Sequence, residues 1–280
     1  MTIAIDSTTT LKNGVEMPRF GLGVYKSEAG EEVETAVKTA IQTGYRMIDT
    51  ASFYKNEESV GKAIRESGVS RDDLFITTKV WNDEQGYDET KEAFERSRSR
   101  LGLEVIDLYL IHWPVTETFE DTWRAMETLY EEGKVRAIGV SNFHKQHIET
   151  LMQTCRVEPM VNQVELHPWL SQKDLHHYCQ TKGIQIEAWS PLARGGKFGD
   201  PFMKEIAGRH GKTEAQVILR WMLQKEIVTI PKSVTVSRIQ ENADLFDFDL
   251  SSEEVSAIDQ LDANERIGKN PDYIDELTFE

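Results

Sequence analysis

Residues 106–114 read Ile106-Asp107-Leu108-Tyr109-Leu110-Ile111-His112-Trp113-Pro114. The apolar run is too short for a buried helix and reads as a strand covered on both faces, with Pro114 closing it off. The same texture recurs in Phe20–Gly23, Arg46–Ile48, Leu74–Thr78, Val135–Val140, Val161–Val164, Ile184–Ala188 and Ile227–Ile230, giving eight strands. Helical patterns lie between them. Val33, Ala36, Val37, Ala40 and Ile41 form one apolar stripe at helical spacing. Asp88–Leu101, Phe119–Tyr130 and Gln172–Lys182 behave alike, and Gly44, Gly102, Gly133 and Gly183 suit helix C-termini. Eight strands that alternate with helices predict an α/β fold, a (β/α)8 TIM barrel, as one domain over residues 1–280.

An open doubly wound sheet is the alternative. It is disfavoured because Gly21-Leu22-Gly23 continues as Val24-Tyr25-Lys26, so a dinucleotide fingerprint fails at its third glycine. Gly211-Lys212-Thr213 resembles the end of a P-loop, but Ile206 stands where that motif needs glycine. This stretch reads as a turn between helices Pro201–Arg209 and Glu214–Leu223, an insertion before the eighth strand. The glycine-rich Arg194–Gly199 opens it and is expected to form a flap. At the start of the chain, Thr10–Lys12, Asn13-Gly14 and Val15–Met17 predict a hairpin.

The chain has 280 residues with 48 acidic and 32 basic side chains, a net charge of −16. That excess opposes a phosphate-backbone surface, so no nucleic-acid partner is expected. No stretch is apolar enough to span a membrane, and no secretory leader is visible. Cys155 and Cys179 are read as reduced thiols of a cytoplasmic protein. His144 and His147 are read as a solvated helix face, and no metal site is expected.

In such barrels chemistry collects where strands end. There the sequence places Asp49 and Tyr54, Lys79, His112, Ser141-Asn142, Gln163, Trp189-Ser190 and Lys232-Ser233. Each has an ordinary explanation alone: Asp caps a helix, Tyr packs, Lys is solvated, His is structural. Together the first four suit one reaction. A buried Lys beside a phenol lowers its pKa, Asp keeps that Lys charged, and Tyr becomes a general acid. His can orient a carbonyl. Reduction also needs a hydride donor. Trp189 can stack on a nicotinamide, although rim packing is an equal reading, and Ser141, Asn142 and Gln163 can hold its carboxamide. Lys232, Ser233 and Arg238, at the start of a Ser237–Leu245 helix, offer charge to a phosphate.

These residues resemble the aldo-keto reductase family over nearly the whole chain, from Met17–Gly23 to Ser251–Glu254. The motifs are Gly44–Ala51 with Tyr54, Asn56 and Glu57; Leu108–Pro114 with Gly139–Phe143; and Ile230–Ser233 with Arg238, Glu241 and Asn242. The resemblance implies a barrel closed at its N-terminal end by the hairpin, and NADP(H)-dependent reduction of aldehydes and ketones. It implies Tyr54 as general acid, Asp49 and Lys79 as its partners, and His112 as the carbonyl-orienting group. It assigns the cofactor to Gly23, Val24, Asp49, Ser141, Asn142, Gln163, Trp189, Ser190, Leu192, Lys232, Ser233, Val234, Arg238 and Asn242. The substrate pocket falls to Tyr25, Phe53, Trp81, His112 and Trp113, with core packing nearly as good a reading for Phe53.

Beside some animal members of that family, Trp189 stands where many have Tyr, Tyr25 stands where many have Trp, and the tail after Leu261 is short, from which weak loop-based selectivity is expected. These features resemble a bacterial branch that includes glyoxal/methylglyoxal reductases and 2,5-diketo-D-gluconate reductases, and imply a monomer acting on small carbonyls. Two other functions stay open: an NADPH-binding regulatory subunit with little turnover, which the intact tetrad opposes, and a phosphosugar isomerase, whose phosphate loop Lys232-Ser233 would mimic.

Overall fold

A computed structural model describes residues 3–276, 278 and 279. Strands β1 (Thr8–Thr10) and β2 (Glu16–Pro18) form an antiparallel hairpin. Eight parallel strands follow: β3 (Gly21–Gly23), β4 (Met47–Asp49), β5 (Phe75–Val80), β6 (Ile106–Ile111), β7 (Val135–Ser141), β8 (Val161–Glu165), β9 (Gln185–Trp189) and β10 (Val228–Thr229). They pair strictly in chain order. The seam between β3 and β10 is bridged at Phe20–Thr229 and Gly23–Lys232, which turns the sheet into a barrel and removes the open-sheet alternative. A Cβ on Gly23 would stand 2.9 Å from the Ile230 carbonyl oxygen, so the close approach at the seam requires glycine.

Helices α1 (Glu31–Thr43), α2 (Glu57–Arg65), α3 (Tyr87–Leu101), α4 (Phe119–Glu131), α5 (Lys145–Leu151) and α6 (Lys173–Thr181) follow β3 to β8 in turn. The expected insertion is α7 (Pro201–His210) and α8 (Glu214–Gln224), between β9 and β10. After β10 come α9 (Val236–Ala243), shorter than the expected Ser237–Leu245 at its C-terminal end, and α10 (Ser252–Asp259). The stripe of α1 is fully buried against the sheet, and every residue of β5 and β6 is buried. This double coverage explains runs with no polar alternation.

Helix α2 buries Val60, Gly61, Ala63 and Ile64, and Gly61 sits where it packs closest on α3. A Cβ there would lie 2.1 Å from the Leu101 carbonyl oxygen at the end of α3. The hairpin also differs in detail. Leu11 N–H bonds to Val15 O at 2.9 Å, so Lys12 belongs to the turn with Asn13 and Gly14 rather than to a strand. Lys12 instead reaches Lys182 O and Glu158, and Asn13 reaches Arg136 O. These contacts tie the hairpin to the N-terminal ends of β7 and β9, opposite the site.

Candidate active site

The C-terminal strand ends open into a cleft of about 1220 Å³. At its floor Lys79, fully buried in β5, donates to Asp49 Oδ1 at 2.7 Å, to Thr50 O at 2.9 Å and to Tyr54 Oη at 3.4 Å. The ammonium has three protons and three acceptors. Asp49 terminates β4, and Tyr54 closes a short 3-10 turn, Ser52–Tyr54, directly after it. Asn56 anchors that turn from below through Thr50 Oγ1 and the carbonyls of Val24 and Ser27. His112 follows β6, its ring edge-on to Tyr54 at 5.7 Å between centroids.

Burial, and next the Lys79 charge, hold His112 well below its ordinary value, so it stays a neutral imidazole. Its Nδ1 is buried with no partner among the described residues, leaving Nε2 as the nitrogen open to the cleft. Tyr54 departs from expectation. Burial first, then the charges of Asp49, Tyr25 and Glu187, raise it well above the ordinary phenol value. Desolvation dominates, and Tyr54 is a protonated donor at neutral pH.

Toward the next strands, Asn142 Nδ2 donates to His112 O at 2.9 Å and Ser141 Oγ at 3.1 Å, while its Oδ1 accepts from Trp189 Nε1 at 2.9 Å. Gln163 Nε2 donates to Asp49 Oδ2 and to Glu187 Oε2, each at 2.8 Å. Asn142 and Ser190, at the ends of β7 and β9, take left-handed φ values of 62° and 49°. Such conformations in residues other than glycine collect at functional sites.

Further out, Ser190, Leu192, Lys232, Ser233, Val234, Arg238 and Asn242 line the same cleft, with Gly23 at the seam. Val24 does not. It is wholly buried, its N–H bonds to Asp49 O and its carbonyl accepts from Asn56. Lys232 and Arg238 are exposed and make no ion pair among the described residues, in a chain where most cations do.

The other wall is aromatic. Phe53 stacks on Trp81 at 3.8 Å, Trp81 meets His112 at 4.9 Å, and Tyr25 lies 5.1 Å from Tyr54. Phe53 is therefore a pocket residue rather than core. The short tail does more than expected. Glu165 accepts from the N–H groups of Ile267 and Gly268, each at 2.7 Å, drawing the tail across Trp189. Phe279 then packs on Trp81 at 5.0 Å and Trp113 at 5.2 Å. His144, read as solvated, instead bonds Asp272 at 2.8 Å and helps hold this tail. The Arg194–Gly199 stretch borders the cleft through Arg194, Gly195 and Phe198, and Lys197 ties it to Glu265.

A closed barrel with a buried Lys–Asp pair under a protonated Tyr and a neutral His beside a long cleft defines a carbonyl-reductase type of site. Residues 19–263 match the model of the aldo/keto reductase family. The chain is 57% identical over 274 residues to glyoxal reductase of Bacillus subtilis (strain 168), covering 98% of this chain and 99% of that one. It is 47% identical to methylglyoxal reductase DkgA of Escherichia coli (strain K12), covering 94% and 96%. Among solved structures, a Gox0644 mutant in complex with NADPH superimposes with a TM-score of 0.91 at 42% identity, covering 95% and 98%. The chain belongs to the aldo/keto reductase family.

Sequence reasoning missed Glu187 and Phe279. A Glu inside the seventh apolar run was the signal for the first; Phe279 lies in a tail with no periodicity to read.

Proposed function

We propose that this chain is an NADPH-dependent reductase of aldehydes and ketones, broad in specificity and suited to small reactive carbonyls such as glyoxal and methylglyoxal, with Tyr54 as the general acid. The observation that carries the reading is the Lys79 ammonium, which donates to Asp49 and to the Tyr54 hydroxyl at the floor of an aromatic-walled cleft. The identities to glyoxal and methylglyoxal reductases support the substrate class.

The residues fit the cofactor. Trp189 is held by Asn142 at the strand ends, and Gln163 has both amide protons committed, so its oxygen is the free group for a carboxamide N–H. Lys232 and Arg238, without an ion pair among the described residues, lie with Ser233 around the start of α9, and Asn242 lines the cleft from its last turn; together they suit the extra phosphate of NADPH. When bound, the reduced nicotinamide supplies the hydride. His112, neutral, donates to the substrate carbonyl oxygen and orients it. Tyr54 protonates that oxygen as negative charge develops, and Lys79 stabilises the resulting phenolate. Tyr25, Phe53, Trp81, Trp113 and Phe279 exclude water and select apolar substituents.

We also read the chain as a cytoplasmic monomer. Cys155 and Cys179 are free thiols, and no helix among the described residues is long and apolar enough to cross a membrane.

A panel of glyoxal, methylglyoxal and nitrobenzaldehydes, ranked by kcat/KM from NADPH consumption, tests this reading. Turnover across the panel is expected. Tight NADPH binding with negligible turnover would favour the regulatory-subunit reading instead.

A further inference from the structure

Glu187 lies in the middle of β9 with no exposed surface, and nothing in the reduction step above uses it. Its Oε2 accepts from the nitrogen of Gln163 that also bonds Asp49. Asp49, the ionised partner, can only accept, so the Gln163 end facing it is the amide N–H2, and that same nitrogen meets Glu187. The second oxygen of Glu187, Oε1, is buried with no hydrogen-bond partner among the described residues.

The neighbouring strands bring no charge to it: β8 supplies Gln163, and β10 supplies Val228 and Thr229. Glu165, further along β8, is committed to His167 and the tail. From across the barrel come Asp49, Lys79 and Tyr54. Two buried carboxylates therefore share one ammonium. Ionising both would leave an unpaired negative charge in a dry interior, so one of them holds a proton. Asp49 has the contact with Lys79, and the proton falls to Glu187. Burial and the Asp49 charge push Glu187 up to about 8.

We propose that Glu187 is a positioning residue for reduction: protonated at neutral pH, it leaves Lys79 matched by Asp49 alone, and on ionising in alkali it opposes the negative charge that Tyr54 acquires as it gives up its proton. The proposal rests on the reading of Tyr54 as the acid. The sign follows from like-charge repulsion: an ionised Glu187 makes the phenol a weaker acid, so reduction falls as pH rises.

Two measurements test it. In the first, kcat/KM for methylglyoxal with NADPH is followed against pH in the wild type and in Glu187→Gln. The wild type is expected to lose roughly tenfold through a limb near the Glu187 transition, and the variant to lose that limb or shift it upward by about one pH unit or more. In the second, infrared titration of protein labelled with 13C-glutamate is expected to show a protonated glutamate at neutral pH that disappears through about pH 8 and is missing in Glu187→Gln. An unchanged alkaline limb in the folded variant overturns the proposal. So does a wild type with no protonated glutamate at neutral pH, a result that requires no variant to fold. Glu187→Met, which fills the same volume without an amide, serves where Glu187→Gln does not fold, with the same expectation. Tyr54→Phe separates the two claims. If it is inactive while the Glu187 variant keeps the wild-type profile, only this proposal fails; if it is fully active, the acid assignment fails.

Discussion

Replacing Lys79 by Met removes the ammonium that donates to Tyr54 while keeping most of the side-chain volume. At 3.4 Å from the hydroxyl, and with an effective dielectric near 20, a full phenolate charge would interact with the ammonium by about 5 kcal/mol. Only part of that charge forms in the transition state. Taking about half gives roughly 2.5 kcal/mol, or a fall in kcat on the order of 50- to 100-fold. The same change leaves Asp49 buried without its partner, so the protein should also lose about 3 kcal/mol of stability unless Asp49 takes up a proton. The assay is kcat with methylglyoxal at neutral pH, beside urea denaturation of both proteins. The double variant Lys79→Met with Asp49→Asn removes the orphan charge and should recover stability but not rate. A folded Lys79→Met enzyme with kcat within about threefold of wild type would refute the electrostatic role of Lys79.

Other predictions follow from separate contacts. Arg238→Ala should raise the Kd for NADPH about tenfold and leave NADH nearly unchanged, as read by fluorescence titration. Gly139→Ala should cost about 2 kcal/mol or more in urea denaturation, because its Cβ would stand 2.6 Å from the Val161 carbonyl oxygen. His112 is held neutral in the folded state, so below its unfolded value of about 6.5 only the unfolded chain gains its proton and stability falls with pH; His112→Asn should flatten that part of the stability profile. Phe279→Ala should raise KM for nitrobenzaldehydes several-fold while leaving methylglyoxal within about twofold, since the small substrate does not reach between Trp81 and Trp113.

The barrel was legible because strands such as Ile106–Ile111 are buried on both faces and therefore carry apolar runs without alternation, here Leu108–Ile111, with a polar residue wherever the chain emerges. Asp49, Lys79 and His112 sit at those exits, and the structure brings them to one place with Tyr54. What the sequence hid depends on tertiary contact. The need for glycine at Gly61 is set by the Leu101 carbonyl at the end of α3, far away in sequence. The tail is drawn over the cleft by Glu165, a partner about a hundred residues distant in sequence. The direction of the Tyr54 shift was not legible because a motif does not display desolvation, to which the charges of Asp49, Tyr25 and Glu187 add. Glu187 was overlooked because a single acid in an apolar run looks like a strand-end interruption until Gln163 joins it to Asp49.

The central claim is that Tyr54 delivers the proton. Single-turnover NADPH oxidation in Tyr54→Phe, with cofactor affinity measured on the same protein, tests it most directly. The rate is expected to fall at least about a thousandfold below wild type with NADPH affinity unchanged. Equal rates in the two proteins would contradict it.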